Sequence, residues 1–160
     1  MRLRTHGSVR DYHHEEVGYN SRLDALQAAV LLAKLPHLAA WSEARRANAR
    51  YYDEAFADVA EVTTPYIAPE AESIYNQYTL RCDRRDELQA TLKDRGIGSS
   101  IYYPLPLHLQ PCFAYLGYRP GSCPEAERAA GEVLSLPVYP ELSADQRDEV
   151  VGAVRSFYGR

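Results

Sequence analysis

The stretch GYNSRLDALQAAVLLAKLPHLAAWSEARRANARYYDEAFA, Gly18 to Ala57, decides the fold. Asn20, Ser21 and Arg22 run directly into a nearly uninterrupted apolar segment. Ser21 followed by Asp24 resembles a capping box, and Leu23, Leu26, Val30, Leu31, Leu32 and Leu35 follow it at helical spacing. Ala25, Ala28, Ala29 and Ala33 fill the positions between, so this helix is apolar or small almost all round and calls for neighbours on more than one face. Pro36 removes a donor and crowds the preceding turn, yet helical spacing resumes through Leu38, Trp41, Ala44, Ala47 or Asn48, Tyr51 or Tyr52 and Ala55. The pattern predicts a long kinked or two-piece helix from about Leu23 to Ala57.

Outward from that helix, the chain alternates strand and helix signals. IYNQYTLRC, residues 74–82, has the β-branched and aromatic character of a strand. Asp83 then reads as the cap of RRDELQATLKDR, with Leu88 and Leu92 inward and Gly96 at the left-handed closing position. IGSSIYYPLP reads as a second strand. LHLQPCFAYLGY is a short helix or turn, and CPEAERAAGEVLSLPVYP is a helix running into an extended segment. Ser143 with Gln146 is a capping box opening a last helix through Val150, Val151, Val154 and Phe157. Residues 1–19 show little apolar periodicity and read as extended or looping. The expected class is α/β, in the α+β sense of a small mixed sheet packed with helices behind a long kinked helix. One domain spans 1–160, as a linker helix (about 21–57) and an α/β part (about 58–160).

Composition narrows the function classes. At 160 residues a single core is the default. The net charge of −4 comes from interspersed charges and offers no basic face for phosphate backbones, so nucleic acid is not an expected partner. No apolar run approaches the ~18 residues a membrane span needs, and the N-terminus lacks the apolar segment of a secretory signal. Cys82, Cys112 and Cys123 are odd in number and widely spaced, which excludes a disulfide framework or a zinc ribbon and fits a reducing cytoplasm. His13, His14, Glu15 and Glu16 are adjacent, which is the wrong spacing for one metal centre, and no metal site is expected.

Two motifs carry candidate chemistry. In YYPLPLHLQP, Tyr102 to Pro111, Pro104 and Pro106 stiffen the chain as it leaves the predicted strand and present Tyr103 and His108 on a rigid loop, suited to a sugar hydroxyl or a phosphate. The alternative is that Tyr103 packs at a sheet edge and His108 caps the next helix. Asn20 could likewise cap its own helix and Arg22 form a surface ion pair, or both could face an anion at the helix start. Spacing leaves these alternatives open.

With these segments in order, the sequence resembles the C-terminal part of the nucleotide-sugar aminotransferases of the DegT/DnrJ/StrS group, fold-type I pyridoxal phosphate enzymes. HGSVRDYHHEEVGYNSRLDALQAAVLLAKL, YNQYTLRC, RDELQATLKDRGIGSSIYYPLPLHLQP and AERAAGEVLSLPVYPELSADQRDEVVGAVRSF carry the resemblance, which covers essentially the whole chain. It implies the C-terminal small domain of the PLP-dependent transferase fold. It also implies transfer of an amino group from glutamate to a keto-sugar nucleotide, in a homodimer whose active site lies at the subunit interface. Asn20, with Arg22, would reach the cofactor phosphate of the neighbouring subunit. Tyr12, His13 and His14 would lie near the partner's substrate entrance, and Tyr103 and His108 near the nucleotide sugar. The sequence departs from the family at one point: its two lysines, Lys34 and Lys93, stand outside the family's lysine motif, which belongs to a large domain that would precede Met1. The chain alone is therefore expected to be inactive and to bind no cofactor. A different class of function is a non-catalytic dimerisation or regulatory module that keeps the small-domain fold. A small ferredoxin-like binding domain would account for the strand–helix–strand pattern but not for the motifs.

Overall fold

The structure is a computed structural model that describes residues 2–5, 8–10, 13–14, 18–21 and 23–160, and it divides into two compact units, 1–39 and 40–160. In the first unit, β1 (Ser8–Arg10) pairs antiparallel with β2 (His13–His14). Thr5 forms an isolated bridge with Asn20, reinforced by backbone bonds from Tyr19 N to Leu3 O at 2.6 Å and from Ser21 N to Arg4 O at 3.0 Å. Of the two alternatives for residues 1–19, extended or looping, the described residues take the extended one where they pair.

Helix α1 runs over Ala25–Lys34. Its cap is Asp24, whose carboxylate accepts from Gln27 N at 2.8 Å; the expected Ser21–Asp24 box is replaced by a cap three residues later, because Ser21 is still paired to Arg4. Pro36 is absorbed in a 3-10 turn, Leu35–His37, closed by Leu38 N to Leu35 O, and helix α2 follows over Leu38–Phe56. The two-piece helix is as the periodicity predicts. No residue of α1 is buried: Leu26 is 82% exposed and Leu32 68%.

The second unit is built on a small antiparallel sheet of β3 (Val62–Thr63), β4 (Tyr78–Cys82) and β5 (Val133–Leu136), in that order. Helices α3 (Arg85–Asp94), α4 (Pro124–Glu132) and α5 (Ala144–Phe157) complete it. The predicted second strand after α3 is reduced to a bridge, Ser100 with Ser135, on the free edge of β5. Ser100 therefore runs parallel to β4 with β5 inserted between them, and every pairing among the described residues is antiparallel where a mixed sheet was expected.

Alternation along β4 sends Tyr78, Leu80 and Cys82 inward. They meet Tyr52 and Phe56 of α2, Leu88 and Leu92 of α3, Leu134 of β5 and Val154 of α5, all essentially without exposure. Tyr52 and Tyr78 sit 5.1 Å apart, ring centre to ring centre, and each places its hydroxyl on a partner: Tyr52 on Pro137 O at 2.9 Å, Tyr78 on Asp53 at 2.7 Å. Burial drives both phenols far above their ordinary pKa, so both remain neutral donors. The inward face of α2 is Asn48, Ala49, Tyr52 and Phe56; it takes Asn48 and Tyr52 of the alternatives in the expected stripe, whose first member, Leu38, is instead 53% exposed.

Two caps differ in outcome. The Ser143–Gln146 box forms in full, with Gln146 N donating to Ser143 Oγ at 3.2 Å and Ser143 N to Gln146 Oε1 at 3.0 Å. Asp83 does not cap α3: its N–H is bonded to Glu61 O at 3.1 Å, continuing the β3–β4 ladder, and Arg84 takes the turn at φ 52°. Gly96, at φ 75°, closes α3 in the left-handed region as expected.

Candidate functional site

In the first unit the described part of the candidate site is Asn20. It lies four residues ahead of the α1 cap and is exposed, its backbone held in the bridge to Thr5. Asp24 performs the capping, so that alternative role for Asn20 is removed. Arg22 and Tyr12 lie outside the described residues, and His13 is placed only as a member of β2, opposite Arg10.

In the second unit, the chain leaves the Ser100 bridge into the Tyr102–Tyr103 dipeptide, whose rings stand edge to face at 5.7 Å. Tyr103 is 72% exposed, which rejects the sheet-edge packing alternative. His108 behaves differently. It falls in a 3-10 turn, Leu107–Leu109, its side chain is 9% exposed, and its Nε2 lies 2.9 Å from Glu127 Oε1 on the first turn of α4. Glu127 also accepts from the backbone N–H of Gly121 at 2.8 and 2.9 Å and of Cys123 at 3.2 Å. Those backbone donors, with His108, hold the Glu127 carboxyl below the usual carboxylate range. Tyr118 meets the imidazole edge to face at 6.2 Å.

Behind this loop an open cleft of about 600 Å³ runs between the Gly96–Ser100 segment and the Leu136–Tyr139 segment. Arg45 stands in its wall, and its Nη1 donates to the carbonyls of Tyr75 at 3.2 Å and of Asn76 and Val138 at 3.4 Å. Ser99, Ser100, Asn76, Gln146 and Glu149 are among the other polar groups. The lining offers hydroxyl and amide donors and acceptors with one cation, Arg45, and one anion, Glu149. Among the described residues no His, Cys, Asp and Glu cluster could hold a metal ion, and no helix is long and apolar enough to cross a membrane.

Sequence reading did not identify Arg45 or Glu127. Arg45 sits in an ordinary charged helix face. The available signal for Glu127 was an acidic residue in the first turn of a helix opened by Pro124, which favours any nearby N–H left over from the preceding loop.

The arrangement matches known aminotransferase structures. The crystal structure of S. venezuelae DesV in complex with a ketimine intermediate superposes with a TM-score of 0.91 at 42% identity, covering 99% of this chain and 43% of that one. Residues 1–155 match the model of the DegT/DnrJ/EryC1/StrS aminotransferase family, and the chain belongs to that family. A Geobacillus stearothermophilus relative named pleiotropic regulatory protein is 51% identical over 160 residues, 98% of this chain and 42% of that protein. The dTDP-3-amino-3,4,6-trideoxy-α-D-glucose transaminase of Streptomyces venezuelae is 42% identical over 99% of this chain and 42% of its own length. The chain thus spans under half the length of the relatives it matches.

Proposed function

We propose that this chain is the C-terminal part of a pyridoxal-phosphate-dependent aminotransferase that transfers an amino group from glutamate to a keto group on a nucleotide-linked sugar. The observation that carries the reading is the family match along residues 1–155, supported by likeness to a relative named as a dTDP-sugar transaminase. Pyridoxal phosphate, when bound, supplies the electron sink for such chemistry. The described residues do not fit the whole cofactor: Lys34 and Lys93 are both exposed on helices, and Lys93 borders only an open concavity with Asp86 and Gln89. This chain's share is binding and orientation. Asn20, with Arg22, faces the cofactor phosphate of a second subunit. Tyr12 and His13 border the substrate entrance, and Tyr103 and His108 face the nucleotide sugar. The working form is a cytoplasmic homodimer.

The 160-residue chain, mixed with pyridoxal phosphate and glutamate, is expected to give no cofactor absorbance change and no amino transfer. Turnover that survives replacement of both Lys34 and Lys93 by alanine would overturn the assignment. A second reading, a non-catalytic dimerisation or regulatory module, is favoured by the name of the Geobacillus relative. Reading the coding sequence upstream of Met1 separates the two: an in-frame large domain with a lysine motif supports the enzyme, and its absence supports the module.

A further inference from the structure

The loop from Pro104 to Cys123 is long and contains only 3-10 turns, so its order depends on a few tethers. Glu127 is where those tethers converge. It receives His108 from near the loop's start and the N–H groups of Gly121 and Cys123 from its end. An ionised carboxylate can only accept hydrogen bonds. Glu127 is kept ionised at neutral pH by the two backbone donors, which hold its pKa low. The hydrogen of the His108–Glu127 contact must then sit on Nε2. A neutral imidazole with its proton on Nε2 has a bare lone pair on Nδ1. Nδ1 has no protein hydrogen-bond partner among the described residues and is not one of the fully buried unpartnered atoms, so on a mostly covered side chain it is the nitrogen left open to a ligand.

We propose that Glu127 is a positioning residue that locks His108 in the Nε2–H tautomer, so that His108 meets its ligand through Nδ1 as an acceptor and reads a sugar hydroxyl rather than a phosphate. The identity of the ligand rests on the function proposed above; the lock rests on the geometry alone. The doubly esterified phosphates of a nucleotide sugar offer no hydrogen to a lone pair at neutral pH, whereas every free sugar hydroxyl does. The Tyr118 ring also meets the imidazole, edge to face at 6.2 Å, so the ring has two neighbours that bear on its orientation. Glu127 acts through His108 and touches no ligand itself.

The test is NMR on the 15N-labelled 160-residue chain near neutral pH, with dTDP-glucose and dimethyl phosphate as probes. A protected Nε2–H resonance of His108 is expected in the parent chain and lost in Glu127→Ala. The Gly121 and Cys123 amides are expected to exchange about five- to tenfold faster in that variant, the size of one lost hydrogen bond. Glu127→Gln keeps the volume and one acceptor but lets the amide turn, so it should give a mixture of tautomers with the loop still ordered. Unchanged methyl signals from Leu80 and Val154 verify the core in each variant. A His108 proton on Nδ1 in the parent, or an Nε2–H that survives Glu127→Ala, overturns the lock. With the lock intact, dTDP-glucose should shift the Nδ1 signal and dimethyl phosphate, which carries neither a hydroxyl nor an ionisable proton at this pH, should not. An equal shift from dimethyl phosphate overturns the acceptor role, and no shift from either overturns the sugar-facing reading of this loop while leaving the lock standing.

Discussion

Helices α1 and α5 begin in the same way and end in opposite environments. Each opens on a side-chain cap, Asp24 onto Gln27 N and Ser143 onto Gln146 N, and each is rich in valine, leucine or alanine. Yet α5 buries Val150, Val151, Ala153 and Val154, while α1 buries nothing and leaves Leu26, Val30, Leu31 and Leu32 more than half exposed. The difference is one of pattern. In α5 the apolar residues share a face with charges on the other, so one layer of sheet and helix satisfies it. In α1 apolar side chains point in every direction, and no single neighbour could cover them all. Apolar content therefore measures a helix's demand for partners, and does not say that the chain meets it.

The largest effect that could break this comparison comes from truncating one leucine in each unit. Leu80→Ala, at a site with no exposure, should cost about 2–5 kcal/mol, whereas Leu26→Ala should stay within about 0.5 kcal/mol in urea unfolding followed by tyrosine fluorescence. Equal losses would mean that α1 is buried as deeply as the core. A second measurement sharpens the demand for partners. The parent chain should self-associate in sedimentation as concentration rises, and Leu26→Glu with Leu32→Glu should abolish it. A strictly monomeric parent at high concentration would defeat this expectation.

Smaller effects separate the two caps. Ser143→Ala removes a complete box under a packed helix and should cost about 1 kcal/mol, while Asp24→Ala should leave the unfolding of the 40–160 unit unchanged. The smallest effect concerns the ion pair that ties α5 to the end of α2. Arg155 donates to Ala55 O at 2.7 Å and to Asp58 at 2.5 and 2.9 Å, and this lowers the Asp58 pKa below the ordinary aspartate value of 3.8. A carboxyl with a depressed folded pKa stabilises fully above its unfolded value and loses that contribution as pH falls through the folded one. Asp58→Asn should therefore lower the urea midpoint slightly at pH 7 and not at all near pH 2; a gap that persists in acid would show that the group acts through something other than its charge.

Helix starts and stops were legible where a local contact defines them and no distant partner claims the backbone, as Arg4 claims Ser21. The Ser143–Gln146 box, Gly96 and the Pro36 break all depend on residues within a turn of one another. Asp83 was misread because its backbone was already claimed by Glu61, a strand partner far away in sequence. The place of β5 was illegible for a related reason. Nothing between residues 83 and 100 records that Ser135 will insert beside β4 and turn an apparent parallel pair into an antiparallel sheet. Of the site, the two prolines left Tyr103 either exposed on the loop or packed at a sheet edge, and only its 72% exposure in the structure chose between them. The fate of His108 could not, since its partner is Glu127 and proximity across the loop is a product of folding.

The sequence alone determined the order of helices, the Ser143 cap, the Gly96 stop and the family whose motifs run from the first residues to the last helix, because each rests on contacts or patterns confined to a short stretch of chain. Only the tertiary structure decided which face of α2 is inward, which strands are neighbours, and that Glu127, Gly121, Cys123 and His108 form one cluster. Those facts depend on burial and on hydrogen bonds between distant segments, and a lone carboxylate or imidazole does not reveal its partner until the chain has closed around both.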